Sequence, residues 1–262
     1  GHNSFKQASQ FVQMDKLRRI THVQLGSNQL TSVPELTFSM ENVTHIDLSH
    51  NRIQSLPIGI STLFPNVTWM DLRSNRLNSL PIDFRKFVHL TYLNLCHNEL
   101  TMIPQELGEC HSLVTLKASY NAIQDVHSMF FNAHMTKLME VHLDHNKITV
   151  LPNTVHECPH LVELIVENNE LSQFPHSIYL SPKLYVIRAA NNRIDQLPHH
   201  IERFAKLYKL CLKNNKVEKL PKTIVNLRHL RFLNLNGNPI LDIAREQGVE
   251  AVVDDSVELH HH

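Results

Sequence analysis

Twenty histidines, four cysteines and 25 Asp plus Glu in 262 residues make metal binding, thiol attack and acid–base catalysis the first chemistries to test. The spacing of the candidates favours none of them. His50, His97 and His145 are separated by Ser74 and Tyr120 at the equivalent places between them, so these imidazoles do not gather. His45, Asp47 and Asp71 supply three mixed donors and no fourth protein ligand. Asp47 and Asp71 also form a carboxylate pair, but general acid–base work needs a desolvated pocket, and both are expected on an open surface. Cys96 adjoins His97, yet consecutive residues of an extended segment point to opposite sides, so the imidazole cannot serve that thiol as a base. Six glycines leave no phosphate loop and no dinucleotide fingerprint. No catalytic residue, metal site or cofactor is expected, and the chain does not read as an enzyme.

Composition narrows the partner. Twenty-five Lys plus Arg against 25 Asp plus Glu leave 25 − 25 = 0, which argues against nucleic acid and anionic membranes. No apolar run approaches the ~18 to 20 residues of a membrane helix. Cys96, Cys110, Cys158 and Cys211 are single and widely spaced, as expected of reduced thiols in a cytoplasmic protein. Gly1 to Gln10 is polar and has no targeting character, and His260 to His262 read as a tag remnant.

The positioning elements follow from a repeat. Asn28, Asn51, Asn75, Asn98, Asn121, Asn146, Asn169, Asn192, Asn215 and Asn238 recur at intervals of 23 to 25 residues, giving ten units. Around each runs the frame LxxLxLxxNxLxxLP. Repeat four reads Leu90, Leu93, Leu95, Asn98, Leu100, Ile103, Pro104, and repeat nine reads Leu207, Leu210, Leu212, Asn215, Val217, Leu220, Pro221. The apolar pair three and five places before each Asn alternates as in a strand, and about a dozen residues remain for the crossover that a parallel neighbour requires. Each Asn carries both a donor and an acceptor, which suits it to a ladder joining adjacent bends. Proline closes eight of the ten units and fixes φ as the chain leaves the bend.

These residues resemble the leucine-rich repeat family, in particular the 23-residue "LPxxI" class found in plant Ras-group proteins, a Ras-pathway scaffold, fungal adenylyl cyclases and Roco kinases. The resemblance implies an α/β solenoid: a curved horseshoe of about ten repeats with a concave parallel β-sheet and short helices or turns on the convex side. The expected organisation is an amino-terminal capping segment over 1–19, repeats over 20–243, a carboxy-terminal capping helix and tail over 244–259, and the tag remnant at 260–262. Repeat five departs from the frame. It has 25 residues, His127 in place of proline, and Met129, Phe130 and Phe131 within 128–137, which together predict a bulkier convex helix, a structural irregularity in preference to the alternative of a docking knob.

With the apolar columns buried, the places two, four and six before each Asn map the concave face. Three zones emerge. His45, Asp47, Trp69, Asp71, Arg73 and Tyr92 have the aromatic and Arg composition of a protein-binding hot spot. Glu140, Asp144, Glu163 and Glu167 form an acidic zone, and Arg188, Lys209 and Lys213 a basic one beyond it. The expected function is a non-catalytic protein-interaction module, an intracellular signalling scaffold or regulator. On the family resemblance, its partner would be a small GTPase or a phosphatase. Two alternatives are a targeting domain of a multidomain kinase, cyclase or phosphatase, and an extracellular receptor-like domain, for which Asn42 and Asn66 would be glycosylation acceptors.

Overall fold

The computed structural model describes residues 19–34 and 38–240; both expected capping segments lie outside that range, apart from Arg19. Ten three-residue strands form one parallel sheet: β1 His22–Gln24, β2 His45–Asp47, β3 Trp69–Asp71, β4 Tyr92–Asn94, β6 Thr115–Lys117, β8 Glu140–His142, β9 Glu163–Ile165, β10 Val186–Arg188, β11 Lys209–Cys211 and β12 Phe232–Asn234. Each strand pairs in sequence order with the next, so residues at the same repeat position face one another. Two further strands, β5 Met102–Ile103 and β7 Asp125–Val126, pair separately.

Alternation places one side chain of each strand inside. Ile46, Met70, Leu93, Leu116, Val141 and Leu164 are fully buried, and the outer flank brings Ile60, Phe84, Leu107, Val155 and Ile178 against them. That flank is built of short turns: one α-helical turn at Ile60–Leu63 and 3-10 turns at Ile82–Lys86, Gln105–Glu109, Asn153–Glu157, Ile178–Leu180, Ile201–Arg203 and Lys222–Asn226. Pro81, Pro104, Pro152 and Pro221 stand at the start of four of them with φ between −62° and −81°, the range to which their rings confine them. Asp83 ties two outer turns together: its Oδ2 accepts from the Gly59 and Ser61 N–H groups and the Ser61 hydroxyl.

The bend after each strand is sharp. Ser27, His50, Ser74, His97, Tyr120, His145, Asn168, Asn191 and Asn214 all have φ between 52° and 56°, a left-handed conformation uncommon for residues other than glycine, though Asn and His enter it more readily than most. The asparagine that follows holds the bend. Asn146 Nδ2 donates to the carbonyls of Leu143 in its own repeat and Ala118 in the one before, and its Oδ1 accepts from Ile123 N–H. Asn51, Asn75, Asn98, Asn169, Asn192, Asn215 and Asn238 repeat that pattern. Asn28 opens the series on Leu25, and Asn121 continues it between Leu95, Ala118 and the Leu100 N–H.

Repeat five corrects an expectation. Residues 128–137 form turns and no helix, and Phe130 and Phe131 are both fully buried. The extra length is absorbed differently: β7 pairs with β5, His127 N–H donates to the Ile103 carbonyl, and the two rings turn inward, 4.7 Å apart. Asn132 Nδ2 secures this turn to the carbonyls of Gly108 and Met129. Gly108 is required there, because a Cβ would collide with the Met129 carbonyl oxygen. Burial therefore removes the phenylalanines as a docking knob.

Candidate protein-recognition face

Parallel register converts a repeat position into a physical column. Six places before each Asn, the rings of His22, His45, Trp69 and Tyr92 stack in series, with centroid separations of 4.3, 6.0 and 5.4 Å and interplanar angles of 14°, 26° and 5°. Lys117 Nζ stands 5.9 Å from the centroid of the Tyr92 ring, so a cation closes the column. Stacked pairs of this kind contribute about 0.5–1.5 kcal/mol each beyond buried area, and they hold the rings in one orientation with their edges toward the concave side. His45 is held below the usual histidine range by burial and by the neighbouring His22. Sequence reasoning brought His45, Trp69 and Tyr92 together but missed His22 and Lys117, although both occupy the same lattice of columns.

The next column is less free than expected. Asp47 Oδ1 accepts from Ser49 N–H, Asp71 Oδ1 from Arg73 N–H and Asn94 Oδ1 from Cys96 N–H, each at 2.9–3.0 Å. These side chains finish their own strands by satisfying an N–H that the sheet leaves open. Asp71 is only 4% exposed, contrary to the expectation of an open carboxylate. Burial raises its pKa, while the Arg73 N–H and the Arg73 guanidinium 3.5 Å away pull it back. Arg73 remains exposed and is the reachable charge of this zone.

The acidic zone surrounds His142. Glu140 pairs in register with Glu163, and the Thr115 hydroxyl donates to Glu140 and the Ser119 hydroxyl to Asp144. His142 Nε2 is buried without a hydrogen-bond partner; burial first and Lys117 second hold this imidazole below its usual range, against the pull of Glu163, Glu140 and Asp144. At the boundary with the basic zone, Arg188 Nε and Nη2 donate to Glu167 Oε1 and Oε2 at 3.0 and 3.1 Å, a two-pronged pair that compensates both charges. Lys209 lies 4.7 Å from the centroid of the Phe232 ring, whereas Lys213 is exposed. The Glu167–Arg188 pair therefore joins the acidic and basic zones, while the aromatic zone is a continuous ring stack.

A second ring column was not anticipated. His97, Tyr120 and His145 stack at 4.4 and 4.0 Å at the left-handed bend, one place before Asn, and Asn168 Nδ2 lies 3.1 Å from His145 Nε2. The sequence signal was present in the recurrence of rings at one repeat position, but only the backbone conformation shows that this position points along the rim. Among the described residues no group of three or more His, Cys, Asp or Glu is arranged to hold a metal ion, and no helix is long and apolar enough to cross a membrane. All four cysteines are free.

A family model described as "Leucine rich repeat" matches residues 18–77, 65–123, 111–171 and 182–240. The chain belongs to the leucine-rich repeat family. Among solved structures, a leucine-rich repeat protein of Leptospira interrogans is 30% identical with a TM-score of 0.81, over 89% of this chain and 59% of that one. The ectodomain of an Arabidopsis thaliana membrane receptor kinase, solved with Casparian strip integrity factor 2, is 24% identical with a TM-score of 0.72, over 84% of this chain and 27% of its own. Toll, in the Drosophila Toll–Spätzle complex, is 23% identical with a TM-score of 0.74, over 90% and 36%. These last two share the fold. The chain thus spans less than two thirds of the length of each of these three relatives. Comparison with curated proteins gives no match.

Proposed function

We propose that this leucine-rich repeat chain is a non-catalytic protein-recognition module that binds its partner across the concave face of repeats 1 to 5. The observation that carries this is the ordered ring column His22, His45, Trp69 and Tyr92, bordered by Arg73 and Lys117. Aromatic rings held rigid beside an Arg lose little conformational entropy on binding, which is why such groups dominate interfaces. The compensated Glu167–Arg188 pair and the acidic group around His142 then act as a charged border that tunes association rate and selectivity. The prolines that close eight repeats support placement in the 23-residue intracellular class, and on that likeness we assign a cytoplasmic signalling partner such as a small GTPase or a phosphatase. Four free thiols support a reducing compartment.

Affinity capture from lysate followed by calorimetry with the recovered partner tests the assignment. Trp69→Ala should weaken binding by at least roughly tenfold while the circular-dichroism spectrum is unchanged. Undiminished affinity in both Trp69→Ala and Tyr92→Ala would move the functional surface elsewhere.

A further inference from the structure

Seven places before each Asn, the chain changes character along the solenoid. Thr44, Thr68 and Thr91 donate their hydroxyls to the carbonyls of Thr21, Thr44 and Thr68, a polar seam with internal partners. From repeat five onward the same column reads Val114, Met139, Val162, Tyr185 and Tyr208. Met139 is 43% exposed, Tyr185 42% and Tyr208 36%. The column is continuous: Val162 N–H donates to the Met139 carbonyl, Tyr185 to Val162, Tyr208 to Tyr185 and Arg231 to Tyr208, all at 2.8–2.9 Å. The two tyrosine rings stack at 4.8 Å and 6°. Two residues earlier a second column runs Lys137, His160, Lys183, Lys206 and His229, all exposed, with buried Leu138, Leu161, Leu184 and Leu207 alternating between the two columns in repeats six to nine.

The neutral total hides a segregation of charge. Residues 183–231 hold 12 Lys plus Arg and 3 Asp plus Glu, so 12 − 3 = +9, and the remainder carries 13 − 22 = −9. Of the 12 Lys and Arg residues of that segment, only Arg188 and Arg193 form ion pairs with carboxylates among the described residues. An exposed apolar and tyrosine strip thus runs beside a cationic one, along the edge where the chain enters the strands and away from the Trp69 column.

We propose that this edge of repeats 6 to 10 docks a protein segment that alternates acidic and apolar side chains. The apolar residues lie against Met139, Val162, Tyr185 and Tyr208, and the carboxylates reach Lys183, Lys206 and Arg231. An extended segment turns successive side chains to opposite sides, so one lying between the two columns directs its apolar residues to one and its carboxylates to the other. Nucleic acid fits less well. The two tyrosine rings stack on each other, which takes up one face of each that a base would otherwise stack on. The −9 of the rest of the chain also opposes a long polyanion, whereas a short acidic segment is governed by charges within roughly 8–10 Å.

The test is fluorescence anisotropy with a short labelled peptide alternating Glu and Leu, against the same peptide with Gln for Glu and an oligouridylate of matched charge. The intact protein should bind the Glu peptide, and bind it more tightly than either control probe. Lys183→Glu with Lys206→Glu should weaken it by at least roughly tenfold and flatten its salt dependence. Lys183→Gln with Lys206→Gln reads a loss in the same direction should charge reversal disturb the fold. Tyr185→Ser with Tyr208→Ser should weaken binding while the salt dependence stays. Arg52→Glu with Arg76→Glu makes the same charge change on the opposite edge and should leave affinity within about threefold, and Trp69→Ala should leave it unchanged, so failure here is distinct from failure of the concave face. The proposal is overturned by absent peptide binding, by equal binding of the Gln peptide, by tighter binding of the oligouridylate, or by an equal loss in the Arg52 and Arg76 variant.

Discussion

The asparagine ladder makes a prediction about coupling and not only about loss. Each strand-end carbonyl takes two donors from successive repeats: Ala118 accepts from Asn121 and Asn146, Leu143 from Asn146 and Asn169, Val166 from Asn169 and Asn192. Asn146→Ala therefore orphans one buried group, the Ile123 N–H, while both carbonyls keep one partner. An orphaned buried donor costs about 1–3 kcal/mol and two thinned carbonyls about 0.5 kcal/mol each, giving about 2–4 kcal/mol in all. Asn169→Ala does the same through the Ile148 N–H. Together they strip Leu143 of both donors, a third orphan that neither single change exposes. The adjacent double variant should therefore exceed the sum of its singles by about 1–2 kcal/mol. Asn146→Ala with Asn215→Ala shares no carbonyl and should be additive to within about 0.5 kcal/mol. Urea unfolding followed by circular dichroism and by Trp69 fluorescence measures the parent, the three singles including Asn215→Ala, and the two doubles. Equal coupling in the adjacent and distant pairs would refute the shared-acceptor account.

Acidification should destabilise the fold through histidine. His45 and His142 sit below 6.5 when folded, so the unfolded chain binds more protons once pH falls under that value, and unfolding free energy declines from there until the folded pKa is passed. The urea midpoint should be higher at about pH 7.5 than at about pH 5.5, and His142→Gln should shrink the difference; a midpoint that rises on acidification would contradict it. Asp71 works in the other direction and lower down, since its raised pKa removes stability as pH climbs out of the carboxylate range. Thiol labelling should divide the cysteines. Burial pushes Cys110 and Cys158 up to about 12, so both should react with a disulfide reagent only after unfolding, ahead of which the half-buried Cys96 and Cys211 react slowly in the native protein.

The period of the asparagines and the alternation around them were enough for the solenoid, the register and the inward columns, because every repeat must bury the same face against its neighbours. The aromatic zone was legible for the same reason: equal repeat position means adjacency, so His45, Trp69 and Tyr92 had to be neighbours. Repeat five was not legible. Two phenylalanines in an aberrant unit fit an outer knob as well as a core, and only the pairing of β5 with β7 turned them inward.

Sequence alone therefore determined which side chains share a column, since that depends on period and nothing else. Tertiary structure decided what each column can do. Asp71 is buried on its own strand end because the N–H of Arg73 lies within reach, Glu167 is neutralised because a guanidinium from the next strand meets it squarely, and Tyr185 and Tyr208 are exposed because their column lies on the rim. These outcomes rest on directions and distances of a few ångströms, and the lattice of repeats specifies neighbours without specifying where their side chains turn.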